Sequence, residues 1–122
     1  MNYKSVKISK GSGGWGGPII VNLDDKKNKI VYLTSGAKPD VAEKIAELTG
    51  GELVDGFRKG VKDSEIACVI INCGGTLRCG IYPQKKIPTI NIMNTGRSGP
   101  LAKFIKEDIY VSGVKIQNIE LI

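Results

Sequence analysis

Residues Ile66-Ala67-Cys68-Val69-Ile70-Ile71 form an unbroken apolar run, rich in β-branched side chains, that passes through Asn72 into Cys73-Gly74-Gly75. A strand with one wet face alternates apolar and polar residues. A strand apolar at every position must be covered on both faces, as happens in a parallel sheet flanked by other elements. The run therefore predicts a central strand over residues 66–72. Whatever follows it stands at the carboxyl rim of the sheet, where open parallel sheets bind ligands.

The remainder of the chain agrees with that frame. Val6 and Ile8 alternate with Lys7 and Ser9, predicting an N-terminal strand over residues 3–9. The segment Gly11-Ser12-Gly13-Gly14-Trp15-Gly16-Gly17-Pro18 reads as a loop returning into a strand at Ile19–Leu23, and a polar turn leads to another at Lys29–Leu33, so the first quarter predicts a β-meander. Val41, Ile45 and Leu48 have helical spacing after Pro39, and Gly50-Gly51 ends that helix. Short strands are predicted at Glu52–Val54, Thr89–Met93, Ile109–Ser112 and Gln117–Leu121, and a second helix at Pro100–Asp108 through Leu101, Phe104 and Ile105. The fold class is α/β (or α+β): one domain over residues 1–122, with a central, partly parallel sheet and two main helices.

Composition removes several functions. The chain has no histidine, which excludes phosphohistidine chemistry and Ser/His or Cys/His dyads, and its C-x5-C spacing at Cys73 and Cys79 does not suit zinc. No metal and no cofactor is expected. The three cysteines are an odd number and fit a reducing compartment, and no signal peptide or bilayer-length apolar run is read. A formal charge of +6 favours an acidic or phosphorylated partner; the 18 basic residues are scattered rather than clustered with aromatics, so no nucleic acid is expected.

The chemistry converges on two loops. Gly74 and Gly75 let backbone N–H groups approach an anion, Thr76 adds a hydroxyl, and Arg78 offers a planar donor fork for phosphate oxygens. The second loop, Asn94-Thr95-Gly96-Arg97-Ser98-Gly99, leads towards the predicted helix, whose N-terminal N–H groups would add donors beside Thr95, Gly96, Arg97 and Ser98. Cys73 is the candidate nucleophile and Cys79 the alternative, as nucleophile or resolving thiol; Cys68 belongs to the core. Trp15 reads as a loop anchor or a partner contact. Lys85-Lys86 reads as an exposed basic turn or a docking point for an acidic surface. A cysteine-dependent phosphatase is an alternative, although Cys73 to Arg78 is one residue short of its Cys-x5-Arg loop; a non-catalytic phospholigand or protein-binding module is another.

The strings Lys10-Gly11-Ser12-Gly13-Gly14-Trp15-Gly16-Gly17-Pro18, Asn72-Cys73-Gly74-Gly75-Thr76-Leu77-Arg78-Cys79-Gly80-Ile81-Tyr82-Pro83, Ile87-Pro88-Thr89-Ile90-Asn91-Ile92 and Thr95-Gly96-Arg97-Ser98-Gly99-Pro100-Leu101 carry a more specific signal. Through them the chain resembles the glucitol/sorbitol-specific enzyme IIB unit of the bacterial phosphoenolpyruvate-dependent sugar phosphotransferase system. The resemblance covers essentially the whole chain. It implies a relay in which a cysteine, carried onto Cys73, accepts a phosphoryl group from phosphohistidine of enzyme IIA. That cysteine then passes it to a sugar alcohol held by membrane enzyme IIC. It also implies a cytoplasmic position at the inner face of the plasma membrane, in association with or fused to enzyme IIC.

Overall fold

A computed structural model describes residues 3–34, 38–75 and 78–122. Ten regular elements follow in order: β1 (Val6–Ile8), β2 (Ile19–Val21), β3 (Lys29–Leu33), α1 (Asp40–Thr49), β4 (Glu52–Asp55), β5 (Ile66–Ile71), α2 (Arg78–Gln84), β6 (Thr89–Asn91), β7 (Tyr110–Ser112) and β8 (Ile119–Leu121). Short 3-10 turns occupy Asp63–Glu65, Ala102–Phe104 and Ile116–Asn118.

The apolar run behaves as its composition requires. All six residues of β5 are buried, and β5 lies at the centre of a five-stranded sheet ordered β4-β3-β5-β6-β7. Every neighbouring pair in that sheet is parallel. From β3 the chain crosses to β4 on one side, then returns to β5 on the other, so the strand order reverses between β3 and β5. In open parallel sheets the crevice at such a reversal, outside the carboxyl ends, is where ligands bind. Cys73 follows β5 at that edge.

Period-two alternation sorts the sheet's two faces. Ile30, Cys68, Ile70, Ile90 and Val111 pack with Val41, Ala42 and Ile45 of α1 and with Val6, Ile8, Ile19, Val21 and Ile119. Those last five come from a three-stranded antiparallel sheet ordered β2-β1-β8. On the other face, Val31, Leu33, Val69, Ile71 and Tyr110 pack with Cys73, Cys79, Ile87 and Ile105. Cys73, two residues beyond Ile71, thus falls on the α2 side. Helix α1 stops at Gly50, whose φ of 83° is left-handed and whose N–H bonds Ala46 O.

Three expectations need correction. The strand after β1 and β2 in the N-terminal sheet is β8, from the other end of the chain, whereas Lys29–Leu33 joins the parallel sheet. Residues Pro100–Asp108 form no α-helix, only the turn Ala102–Phe104. Both Ile109 and Tyr110 donate their N–H to Lys106 O, and that turn brings the chain straight into β7. The second helix is α2 instead, which begins at Arg78, inside the stretch that the sequence assigns to the thiol loop. Gly80 has a packing reason: a Cβ there would stand 2.4 Å from Leu101 Cβ and 2.8 Å from Leu101 O. Pro83 sits in the last turn, so it removes one N–H from the helix just before it ends at Gln84.

Candidate active site

The pairing of β5 with β6 ends at Ile71 and Asn91, and there the Asn91 side chain takes over the ladder. Asn91 is fully buried, and its Oδ1 accepts the Cys73 N–H at 3.1 Å and the Met93 N–H at 3.0 Å. Its Nδ2 donates to Cys73 O at 2.9 Å and to Tyr110 Oη at 2.9 Å. The amide therefore mimics one more peptide group of β6, paired with both backbone polar groups of Cys73. Only one orientation of the amide satisfies all four partners, because a flip would set N–H against N–H.

The neighbouring loop completes the network. Thr95 Oγ1 donates to Cys73 O at 2.8 Å, and the Tyr110 hydroxyl donates to Thr95 O at 2.6 Å. Cys73 O thus holds two good hydrogen bonds. The sulfur of Cys79, fully buried, lies 4.0 Å from that oxygen, 3.9 Å from Asn91 Nδ2 and 4.0 Å from Tyr110 Oη. The two loops expected to converge do so: a Cβ on Gly75 would be 3.2 Å from Ser98 Oγ and 3.7 Å from Thr95 Cγ2.

Burial pushes Cys79 up to about 11, and the hydrogen bond and negative charge of Cys73 push the same way, while the Gly75 N–H and the Tyr110 hydroxyl pull back. Cys79 is consequently a neutral thiol at pH 7. Tyr110 is also held well above its ordinary value, first by burial, with the Asn91 hydrogen bond opposing. Burial alone pushes Cys68 up to about 12, in keeping with its place in the core. None of the three cysteines is in a disulfide.

The other expected residues are distributed as follows. Gly74 is exposed, and the nearest described atom a Cβ there would meet is Met93 Cε at 3.8 Å, an ordinary van der Waals contact, while Cys73 beside it is buried. Ser98 Oγ donates to Gly96 O at 3.2 Å, and exposed Arg97 donates from Nε to Ala102 O at 3.4 Å. Thr76 and the Arg78 side chain lie outside the described residues, as do residues 35–37. Thr34, just beyond β3, is buried, and its Oγ1 has no hydrogen-bond partner among the described residues. Trp15 is half-buried, its ring tilted against Tyr110 at 6.2 Å. A Cβ on Gly96 would come within 3.4 Å of the Trp15 side chain.

The glycine-rich loop is thus an edge cover. The Trp15 N–H donates to Ser112 Oγ, the Ser112 N–H donates back to Trp15 O, and Gly16 bridges Val111. A Cβ on Gly14 would stand 2.0 Å from Ser112 O, so only glycine lets the loop lie flat on β7. Lys85 lies away from the thiol. Its ammonium pairs with Asp63 at 3.1 Å, just before β5 begins, and β5 then runs six residues, about 20 Å, to the Cys73 rim.

Sequence reasoning missed Asn91 and Tyr110 as site residues. A signal existed: Asn91 is an amide inside the otherwise apolar string Ile90-Asn91-Ile92 on a predicted buried strand, and buried amides need partners. The partner of Tyr110 lies 15 residues away in the chain at Thr95 and had no local cue.

No group of His, Cys, Asp and Glu among the described residues is arranged to hold a metal ion, and no described helix is long and apolar enough to cross a membrane. No solved structure matches the chain. The chain is 58% identical over 120 residues to a protein of Clostridium beijerinckii described as "PTS system glucitol/sorbitol-specific EIIB component". That alignment takes in 98% of this chain and 36% of the relative, so the chain spans about a third of that protein's length. The family model described as sorbitol phosphotransferase enzyme II N-terminus matches residues 5–122. A match from the first strand to the last, with the thiol loop inside it, means that the chain belongs to the sorbitol phosphotransferase enzyme II N-terminal family.

Proposed function

We propose that this chain is a sorbitol-type enzyme IIB unit in which Cys73 carries the phosphoryl group. The Cys73 thiolate attacks the phosphorus of phosphohistidine on enzyme IIA; the S–P bond forms, the N–P bond breaks, and its electron pair returns to the imidazole. A hydroxyl of glucitol/sorbitol held by membrane enzyme IIC then attacks phosphorus; the O–P bond forms, the S–P bond breaks with its electron pair returning to the Cys73 sulfur, and the hydroxyl proton is released. The unit works on the cytoplasmic side, at the inner face of the plasma membrane, in association with or fused to enzyme IIC. Neither metal nor cofactor is required, because such transfer asks mainly for positioning and for neutralisation of the equatorial oxygens.

The observation that carries this reading is a Cys73 whose backbone is fixed at the reversal of strand order, next to an exposed Gly74. The backbone N–H groups of Gly74 and Gly75 are assigned to the phosphoryl oxygens in this reading. Thr76, Arg78, Gly96, Arg97 and Ser98 are the further phosphate-binding candidates around them. Thr95 works in the same loop, with its hydroxyl hydrogen directed at Cys73 O. Cys79 serves as the neutral thiol beneath Cys73 rather than as the nucleophile.

Incubation with phosphorylated enzyme IIA tests the assignment. Cys73→Ser is expected to abolish phosphoryl acceptance, since a serine hydroxyl does not ionise in such a loop, and Cys79→Ser to retain it at least in part. Acceptance by Cys73→Ser together with its loss in Cys79→Ser would reverse the assignment.

A further inference from the structure

We propose that Asn91 is the positioning residue of the thiol loop, its side-chain amide fixing the Cys73 backbone on both sides while holding Tyr110 and Cys79 beneath it. The inference rests on the reading of Cys73 as the phosphoryl acceptor and adds the device that presents it. Four hydrogen bonds of 2.9–3.1 Å radiate from one fully buried amide: two to Cys73, one to Met93 of the neighbouring loop and one to Tyr110 of β7. Thr95 and Tyr110 close the circuit, since the tyrosine hydroxyl that receives the amide hydrogen passes its own to Thr95 O.

An apolar residue at position 91 would orphan the Cys73 and Met93 N–H groups, and unpaired buried donors are costly. A carboxylate would keep the two N–H bonds but set an oxygen against Cys73 O. Two titratable groups that interact with Cys73 are Cys79 from α2 and Tyr110 from β7. Both are neutral at pH 7, so a carboxylate at 91 would be a new charge within the network. Asparagine supplies both donor and acceptor without that charge. The amide places the sulfur but touches no reacting atom, so its role is positional.

The test uses two readouts on Asn91→Asp. One is the pH dependence of Cys73 alkylation by iodoacetamide, mapped by peptide; the other is acceptance from phosphorylated enzyme IIA. The expected result is a folded protein whose alkylation midpoint moves up by about one pH unit, because the added negative charge disfavours the thiolate. Phosphoryl acceptance is expected to slow about 100-fold, the scale of a misplaced reacting group. A folded Asn91→Asp protein with an unchanged midpoint overturns the proposal, whatever its transfer rate. Should Asn91→Asp fail to fold, Thr95→Val and Tyr110→Phe decide: an altered rate or midpoint of Cys73 alkylation in either supports the proposal, and no change in both overturns it. Alkylation needs no phosphoryl donor, so this arm stands even if Cys73→Ser shows that the acceptor lies elsewhere.

Discussion

At Gly75 the backbone takes φ 108°, a conformation that side chains rarely adopt, and a Cβ would crowd Ser98 Oγ at 3.2 Å. At Gly74 φ is not positive, and a Cβ would make only an ordinary contact with Met93 Cε at 3.8 Å. The two glycines therefore differ: the fold requires Gly75, whereas the proposed function assigns Gly74 to the phosphoryl group. Gly75→Ala is expected to cost about 1–3 kcal/mol of stability, the range for a strained residue, measured by urea denaturation. Gly74→Ala is expected to melt within a degree or two of the parent, because its Cβ meets nothing close, yet to lose phosphoryl acceptance, because the methyl occupies the space left for the phosphoryl oxygens. Equal losses of stability in both variants would contradict this division. The thiol loop itself was legible in the sequence because glycine and cysteine report backbone and chemistry directly. Asn91 was not, because its role depends on the register of β6 against β5, which a single strand does not disclose.

Helix α2 lies against the segment around Leu101 with Gly80 at the contact. The 2.4 Å and 2.8 Å approaches leave no room for a methyl, and one of the opposing atoms is backbone. Gly80→Ala is expected to destabilise by about 1–3 kcal/mol through overpacking, despite alanine's better helix propensity. The midpoint of urea unfolding checks this; a stabilised variant would mean that α2 does not pack as described. At this scale the strands were legible, since apolar runs and alternation are local. The second helix was not: Gly80 and Pro83 disguise α2 as loop, while Leu101, Phe104 and Ile105 have helical spacing in a segment whose entry into β7 forbids a helix. Lys85-Lys86 adjoins the thiol loop in sequence, but α2 carries Lys85 to Asp63 at the opposite end of β5.

Across the whole molecule, two interior thiols and a buried tyrosine set the alkaline limit. Burial raises Cys79 to about 11 and Cys68 to about 12. Above the ordinary thiol value of about 8.5 the unfolded chain releases these protons while the native chain keeps them, so the unfolded state binds fewer. Stability is therefore complete below that pH and falls as pH rises towards the folded values, with each thiol contributing up to about 1.4 kcal/mol per pH unit. Urea midpoints measured from pH 8 to pH 11 are expected to decline steadily. Cys68→Val is expected to reduce the slope, since valine has no proton to lose.

The proposed relay depends on Cys73 as the seat of the phosphoryl group. Cleavage after Arg78 separates Cys73 from Cys79, leaving Cys68 in the peptide with Cys73, so peptide mapping after incubation with phosphorylated enzyme IIA tests it most directly. The predicted result is an acid-resistant, iodine-labile phosphate in the peptide that ends at Arg78, with fragment ions placing it on Cys73. Phosphate on Cys79, or on neither thiol, would contradict the account.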